Sequence, residues 1–337
     1  MEVRKNHLGA LDGLRVLATI AIFLYHAGIL LQGTFPVTFF FMLSGFLLYV
    51  TKHELTEYPT FRAWLGYVRK KLKEFYPLHL ATFLYACALI RPEWNGDTIR
   101  SAILNVTLLH AFSASDVLDF NALSWYLSAV MFLYLIGYFL LRFLNRYEKY
   151  RNYLIAATLA LIGICNGLLW MNLPVYIYGN PIYRVLDFFL GMLAASIFLS
   201  RRQVPQETHA SRKEIAICGA FVVGYVVSLW LKPKCGFYSA LFAVALLVFA
   251  QGNGCISRLL SKNIFHIAAK CSFAFYMIHE LVLRTLRQII PAESMAHYPR
   301  IFLIAAIAFP ITAALTWGEY RLKRRRSQNE SRHCDHF

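Results

Sequence analysis

The segment LRVLATIAIFLYHAGILL, residues 14–31, is almost entirely apolar and is long enough to cross a lipid bilayer as one helix. Arg15 and His26 place a guanidinium and an imidazole within it. Such groups are costly inside a membrane and usually mark a functional site. Their spacing of eleven residues turns an α-helix by roughly 1100°. We therefore expect both side chains on nearly one helix face, about 16 Å apart along the axis.

The composition indicates that the rest of the chain is also suited to a membrane. Hydrophobic residues make up 58% of the 337 residues, aromatic residues make up 16%, and the mean hydropathy is +0.49. These values exclude an ordinary soluble domain. Apolar runs of about spanning length occur near residues 13–32, 35–50, 75–90, 124–143, 152–171, 183–199, 214–231, 236–250, 270–290 and 300–318. We predict an all-α, polytopic integral membrane protein with about ten transmembrane helices in one bundle.

The basic residues predict the orientation of the chain. With ten spans, both termini and every second loop share one side of the membrane, and most of the 34 Lys and Arg residues fall there. The positive-inside rule makes that side cytoplasmic. We therefore predict a multi-pass protein of the cell (inner) membrane, with a transmembrane domain over residues 1–320 and a basic cytoplasmic tail over residues 321–337.

The formal net charge of +16 also indicates which partners the protein has. The basic residues are spread over short membrane-flanking loops, which excludes a nucleic-acid-binding domain and favours anionic membrane lipids as partners. The longest predicted cytoplasmic loop, residues 51–74, interleaves basic and aromatic residues, a pattern typical of an amphipathic helix on the inner leaflet. That helix either anchors the chain to lipid or also captures an anionic cytosolic substrate.

Two arginines within or near the apolar runs have both a structural and a functional interpretation. Arg15 follows Asp12 by three residues, so the two side chains can form an ion pair at the start of the helix. Alternatively, Arg15 holds a phosphate or carboxylate of a substrate. Arg184 and Asp187 have the same spacing and can pair with each other, although Arg184 could instead contact a substrate.

The polar residues deeper in the predicted helices also allow two interpretations. His26 is either a hydrogen-bonded core histidine or a general base that takes a proton from a hydroxyl group. Ser44 and Gly45 are small residues that favour close helix packing, although Ser44 could also orient a substrate. Tyr276 and His279 share one helix face and form either a packing contact or a second polar cluster.

Seven stretches resemble, in the same order, blocks of the membrane-bound acyltransferase 3 family. The most specific are LDGLR at 11–15 followed by His26, which matches an R-x10-H opening, and FFMLSGFLL at 40–48. The later blocks are RKKLKEFYP at 69–77, SWYLSAVMFLY at 124–134, RVLDFFLGM at 184–192, SFAFYMIH at 272–279 and WGEYRLKRR at 317–325. The resemblance covers nearly the whole chain. Members of that family transfer acyl groups, commonly acetyl or succinyl, to sugars and other small acceptors.

The resemblance implies an O-acyltransferase, with O-acetyl transfer as the default. The implied donor is acyl-CoA, with acetyl-CoA as the default, and no permanently bound cofactor is expected. Arg15 and His26 are the implied catalytic residues, with His26 as general base, and Arg15, Arg69, Lys70 and Lys73 are the residues expected to bind the donor. The acceptor is a carbohydrate or lipid-linked glycan, such as a sugar, a polysaccharide or an envelope precursor. Expected substrate contacts are Ser44, Arg184, Tyr276 and His279.

The sequence departs from the family pattern at two points. Many members carry an acidic residue where this chain has Val130, and the final block lacks the Pro that often follows its Glu. The first departure argues against a catalytic carboxylate at that position. A membrane transporter or flippase-like accessory protein is the alternative from another class, because intramembrane charges also mark substrate pathways. The side from which an acceptor enters and the use of a covalent intermediate stay open.

Overall fold

Twelve α-helices build the part of the chain that the computed structural model describes, residues 8–33, 35–171, 176–200, 209–231 and 238–334. No strand occurs within these residues. The helices are α1 Gly9–Ala27, α2 Phe35–Lys52, α3 Phe61–Ile90, α4 Gly96–Val106, α5 Trp125–Arg146, α6 Arg151–Trp170, α7 Pro181–Ser200, α8 Ala210–Leu231, α9 Ser239–Gln251, α10 Cys255–Leu260, α11 Asn263–Ile289 and α12 His297–Cys334.

The all-α, polytopic architecture is confirmed, but the helix count differs from the prediction. Seven of the described helices are long and apolar enough to cross a membrane, namely α1, α2, α5, α6, α7, α8 and α12. The other three predicted spans are helical but less suited to lipid. Helix α9 has only 13 residues. Helix α11 carries Lys270, Glu280, Arg284 and Arg287 within its run, and the run of α3 at 75–90 is short and follows a basic segment. Neither helix therefore contains a stretch that is both long enough and apolar enough to span.

The basic segment before the third predicted span is part of a long helix. Helix α3 runs without a break for 30 residues from Phe61, so the basic run at 69–73 and the apolar run at 75–90 belong to one rod that contains Pro77. The Thr60 hydroxyl caps its start by accepting a hydrogen bond from the Ala63 N–H at 3.2 Å. A separate surface helix within residues 51–74 is therefore not formed, because the helix that begins at Phe61 continues through the basic run and past Pro77 to Ile90.

Helix α12 likewise extends past the predicted end of the transmembrane domain. It continues to Cys334 and so includes most of the segment 321–337, whose last three residues, 335–337, lie outside the described residues. The cytoplasmic location of this segment stays a prediction.

Two glycines allow α2 and α7 to cross at backbone contact. A Cβ on Gly45 would lie 1.9 Å from the carbonyl oxygen of Phe188, and a Cβ on Gly191 would lie 1.9 Å from the carbonyl oxygen of Met42. Each glycine therefore faces the main chain of the other helix, as in the small-residue interfaces that let membrane helices pack closely. The packing interpretation of Gly45 is confirmed, and the crossing places α2 in the centre of the bundle.

A third close approach holds the beginning of α1 against the short helix α10. A Cβ on Gly13 would lie 2.4 Å from the Cβ of Leu260, so only glycine fits at position 13. Helix α10 is held in turn by the buried carboxylate of Glu214 in α8. This carboxylate accepts hydrogen bonds from the backbone N–H groups of Gly254, Ile256 and Ser257 at 2.8–3.2 Å. It satisfies N–H groups that a helix start leaves without partners.

We predict that Glu214→Ala destabilises the protein by about 2–3 kcal/mol, because several buried donors lose a charged acceptor together. The Glu214→Gln variant keeps one amide oxygen and should lose less. Thermal unfolding of the purified protein in detergent measures both effects. An exposed matched change, Glu54→Ala in the turn after α2, should leave the melting temperature unchanged. Equal melting temperatures for Glu214→Ala and Glu54→Ala would refute the capping role.

Candidate active site

A cavity of about 1090 Å³ opens between α1, α2, α3, α5, α11 and α12. Three of the predicted site residues line it, namely Arg15, Ser44 and Tyr276. These residues come from three helices that are far apart in the sequence, so the fold brings the first, second and eleventh helices together around one space. Val130, at the position where many family members carry an acid, also lines this cavity.

Positive charge dominates one end of the cavity. Its lining includes six cationic residues and two acidic residues, namely Arg15, Lys52, Lys71, Lys270, Lys323 and Arg324 against Glu74 and Glu319. Lys71 pairs with Glu74 at 3.2 Å, and Lys323 pairs with Glu319 at 2.5 Å. Within the described residues, neither Arg15 nor Lys270 has a carboxylate within 4.0 Å, so their charges are not neutralised by the protein. The surplus cations suit an anionic ligand.

Arg15 does not form the structural ion pair that its spacing from Asp12 allows. The Asp12 carboxylate instead accepts a hydrogen bond from Nδ1 of His266 in α11, at 2.8 Å. The half-buried Arg15 side chain is left to the cavity. Of the two interpretations of Arg15, the described contacts therefore disfavour the structural ion pair with Asp12.

Aromatic hydroxyls form the deeper wall of the cavity. The hydroxyl oxygen of Tyr126 in α5 lies 3.5 Å from Oγ of Ser44, and its ring meets the ring of Tyr276 edge-on with centroids 5.5 Å apart. Tyr126 and Tyr276 both line the cavity. The Tyr276 ring also contacts the ring of His279, with centroids 6.0 Å apart. Tyr276 thus connects the cavity to a histidine one turn further along α11.

His26 and His279 form a hydrogen-bonded pair across α1 and α11. Nδ1 of His26 lies 2.9 Å from Nε2 of His279, and Nδ1 of His279 lies 3.0 Å from the carbonyl oxygen of Phe275. A carbonyl oxygen only accepts, so Nδ1 of His279 carries a proton. With both rings neutral, Nε2 of His279 then accepts the proton of Nδ1 of His26. This arrangement leaves the lone pair of His26 on Nε2, which makes that atom a proton acceptor.

The main chain of His26 is held as well as its ring. The guanidinium of Arg287 in α11 donates a hydrogen bond to the carbonyl oxygen of His26, one of the last carbonyls of α1 that lack a partner within the helix. Glu280 lies 3.6 Å from the same guanidinium and balances its charge. Both the ring and the backbone of His26 are therefore positioned by α11.

The structure places Arg184 away from the cavity. Its side chain is completely buried, and its guanidinium pairs with Asp187 at 2.7 Å, which confirms the ion pair predicted from their spacing. The guanidinium also donates to the hydroxyl of Thr38 and to the carbonyl oxygen of Tyr178. The rings of Phe41, Trp125, Tyr178 and Tyr183 surround it, with their centroids 5.2–5.7 Å from the guanidinium carbon. This environment is that of a structural arginine, and a substrate contact by Arg184 stays a prediction.

The basic run of α3 contributes a different residue to the cavity from the three predicted. Arg69, Lys70 and Lys73 are exposed and do not line the cavity, whereas Lys71 does. Lys71 follows Tyr67 by four residues and precedes Phe75 by four, and all three line the cavity. This helical spacing is the signal that could have identified Lys71.

Two further lining residues escaped the sequence analysis. Tyr126 lies within the block SWYLSAVMFLY but has no feature that separates it from its neighbours before the fold is known. Lys270 follows His266 by four residues on α11 and would have been recognised only with the partner of Asp12 in hand. Among the described residues, no group of three or more His, Cys, Asp or Glu side chains could hold a metal ion.

Comparison with known proteins agrees with the motifs. A family model described as an acyltransferase domain, Acyl_transf_3, matches residues 8–317. The acyltransferase MdmB of Streptomyces mycarofaciens is 26% identical over 322 residues, with 84% of this chain and 81% of MdmB covered. No solved structure matches the chain. The predicted resemblance is confirmed, because the family model covers most of the chain. The protein belongs to the acyltransferase 3 family and is an integral membrane acyltransferase.

Proposed function

We propose that the protein transfers an acyl group, acetyl by default, from acyl-CoA to a hydroxyl group of a sugar, polysaccharide or envelope precursor. The observation that carries this proposal is the hydrogen-bonded pair of His26 and His279, which directs the lone pair of His26 to Nε2. A sugar hydroxyl is a poor nucleophile near neutral pH, so it needs such a proton acceptor when it attacks a thioester. His26 is therefore the general base of the proposal.

The reaction proceeds in two steps around His26. The acceptor oxygen forms a bond to the thioester carbonyl carbon while its proton moves to Nε2 of His26. The tetrahedral intermediate then breaks its carbon–sulfur bond, and the leaving thiolate takes the proton back from Nε2. The products are the ester and free coenzyme A, and His26 returns to its starting state. His279 acts as a positioning residue because it fixes the tautomer of His26.

The charged end of the cavity supports acyl-CoA as donor. The phosphates of coenzyme A need cationic partners, and Arg15 and Lys270 are cations without a carboxylate partner among the described residues. Arg15 and His26 lie eleven residues apart in α1, about 16 Å along the axis. His26 and His279 do not line the cavity, so we infer that the pantetheine arm spans this separation by passing Tyr276, whose ring lines the cavity and contacts the ring of His279. Exposed basic residues of α3 attract the donor and anionic lipids to the surface near the cavity, namely Arg69, Lys70 and Lys73.

The cavity also supports an orientation in the inner cell membrane. Lys52, Lys71 and Lys323 lie at its charged end. By the positive-inside rule this end faces the cytoplasm, where acyl-CoA is available, and both termini lie on the same side. The acceptor, a carbohydrate or lipid-linked glycan, meets the thioester at His26.

We predict that Arg15→Ala weakens the binding of acetyl-CoA about tenfold to hundredfold, because a charge-assisted hydrogen bond to phosphate is lost. Equilibrium binding of radiolabelled acetyl-CoA to the purified protein in nanodiscs measures this loss. The control is Arg62→Ala, which removes an exposed arginine of α3 that does not line the cavity. Unchanged binding in Arg15→Ala would contradict the donor site.

A transfer assay distinguishes the proposed reaction from transport. Membranes that contain the protein are incubated with acetyl-CoA labelled in the acetyl group and with candidate glycans. Label that becomes covalently attached to the glycan supports the proposal. Label that crosses the membrane without attachment to an acceptor would favour the transporter alternative.

A further inference from the structure

Arg15 and Lys270, two of the three cavity cations without a carboxylate partner among the described residues, lie near an acidic residue that is hydrogen-bonded to another side chain. Asp12 precedes Arg15 by three residues on α1, and His266 precedes Lys270 by four residues on α11. Both spacings place side chains on the same face of their helix. The contact of 2.8 Å between Asp12 and His266 therefore lies about one helical turn from each free cation.

An ion pair between Asp12 and Arg15 would weaken the binding of an anion at this end of the cavity. A carboxylate three residues before an arginine on a helix pairs readily with its guanidinium. Such a pair would neutralise Arg15 and occupy the donor groups that a phosphate needs. In the structure this pair is absent from the described contacts, because the Asp12 carboxylate accepts a hydrogen bond from Nδ1 of His266 instead.

We propose that His266 is a positioning residue that holds Asp12 away from Arg15 and Lys270 and so keeps both cations free for the anionic donor. The inference rests on the proposed function, because it assumes that the donor binds at Arg15. Histidine suits this task because Nδ1 can donate to a carboxylate from the neutral ring as well as from the charged ring. The hydrogen bond to Asp12 can therefore form in either protonation state of His266.

Exposure limits the size of the effect. The side chain of His266 is 53% exposed and that of Asp12 is 27% exposed, so water screens their interactions. We expect His266→Ala to weaken the binding of acetyl-CoA about threefold to fivefold, as Asp12 turns toward Arg15. The Asp12→Asn variant should bind at least as tightly as the native protein, because its amide cannot neutralise a cation.

The decisive variant combines both changes. His266→Ala with Asp12→Asn should restore the affinity of the native protein, because the carboxylate that competes for Arg15 is gone. A merely structural contact predicts the opposite, since each single change would break it and the double variant would recover nothing. All four proteins are compared by binding of radiolabelled acetyl-CoA in nanodiscs, with His209→Ala as an exposed histidine control at the start of α8.

The outcomes separate this inference from the proposed function. Weaker binding in His266→Ala that Asp12→Asn reverses supports the inference. Unchanged binding in His266→Ala, or a loss that Asp12→Asn does not reverse, overturns the inference when Arg15→Ala still binds weakly. Unchanged binding in Arg15→Ala overturns the donor site itself and the inference with it.

Discussion

His26→Ala is expected to lower the turnover of acyl transfer by about 10²–10⁴ while the affinity for acetyl-CoA stays unchanged. The physical reason is that the variant loses the proton acceptor for the attacking hydroxyl but keeps Arg15 and the other cavity cations. Single-turnover transfer of labelled acetyl groups measures the chemical step, and equilibrium binding measures the affinity. This pattern distinguishes a catalytic residue from a core histidine, whose loss would reduce folding and binding together.

The partner of His26 provides a graded test of the same model. His279→Ala removes the acceptor for the Nδ1 proton of His26, so the ring can turn or adopt the other tautomer, and turnover should fall by about tenfold or more. His279→Gln places an amide oxygen near the former position of Nε2 and should recover part of that loss. His297→Ala, at an exposed position at the start of α12, is the matched control. Turnover that is insensitive to both His26→Ala and His279→Ala would refute the histidine pair as the reaction centre.

Gly45→Ala is expected to destabilise the protein by about 3 kcal/mol or more, which is a severe loss for one added methyl group. The new Cβ would lie 1.9 Å from the carbonyl oxygen of Phe188, and a backbone atom cannot move aside as a flexible side chain can. Helices α2 and α7 would have to separate. The measurement is the melting temperature in detergent, together with the yield of monodisperse protein.

A glycine without neighbours provides the control for that experiment. A Cβ on Gly163 in α6 would meet nothing within 4 Å, so Gly163→Ala should leave stability unchanged or raise it slightly through better helix propensity. Gly191→Ala should reproduce the loss of Gly45→Ala, because its Cβ would strike the carbonyl oxygen of Met42. Similar melting temperatures for Gly45→Ala and Gly163→Ala would contradict the backbone contact between α2 and α7.

Local sequence patterns predicted much of the fold. The apolar runs identified the membrane class, and the ion pair of Arg184 with Asp187 followed from a spacing of three residues. The predicted number of about ten spans differs from the seven described helices that are long and apolar enough to span. Hydropathy is a poor guide to helices in the centre of a bundle, because such helices can carry polar residues that face other helices. Helix α11 carries the very polar residues that build the site, His266, Lys270 and His279, and these lower its hydropathy.

Contacts between distant segments set the limit of the sequence analysis. His26 and His279 are 253 residues apart, and their contact depends on how α1 packs against α11. The sequence identified both residues but did not indicate that they meet. For Asp12 the nearest cation in sequence was Arg15, yet its partner is His266, 254 residues away. A short-range rule describes what a side chain can reach, whereas the packing of helices decides which of several partners it takes.

The surroundings of Arg184 have a consequence for biogenesis. Its guanidinium is neutralised by Asp187 on its own helix, but Thr38, Phe41 and Trp125, which complete its surroundings, belong to α2 and α5. Before those helices arrive, α7 exposes a charged pair to hydrocarbon, a state of high energy. We therefore expect α7 to become more stable in the membrane once α2 and α5 pack against it, so one arginine links the stability of this helix to the assembly of its neighbours.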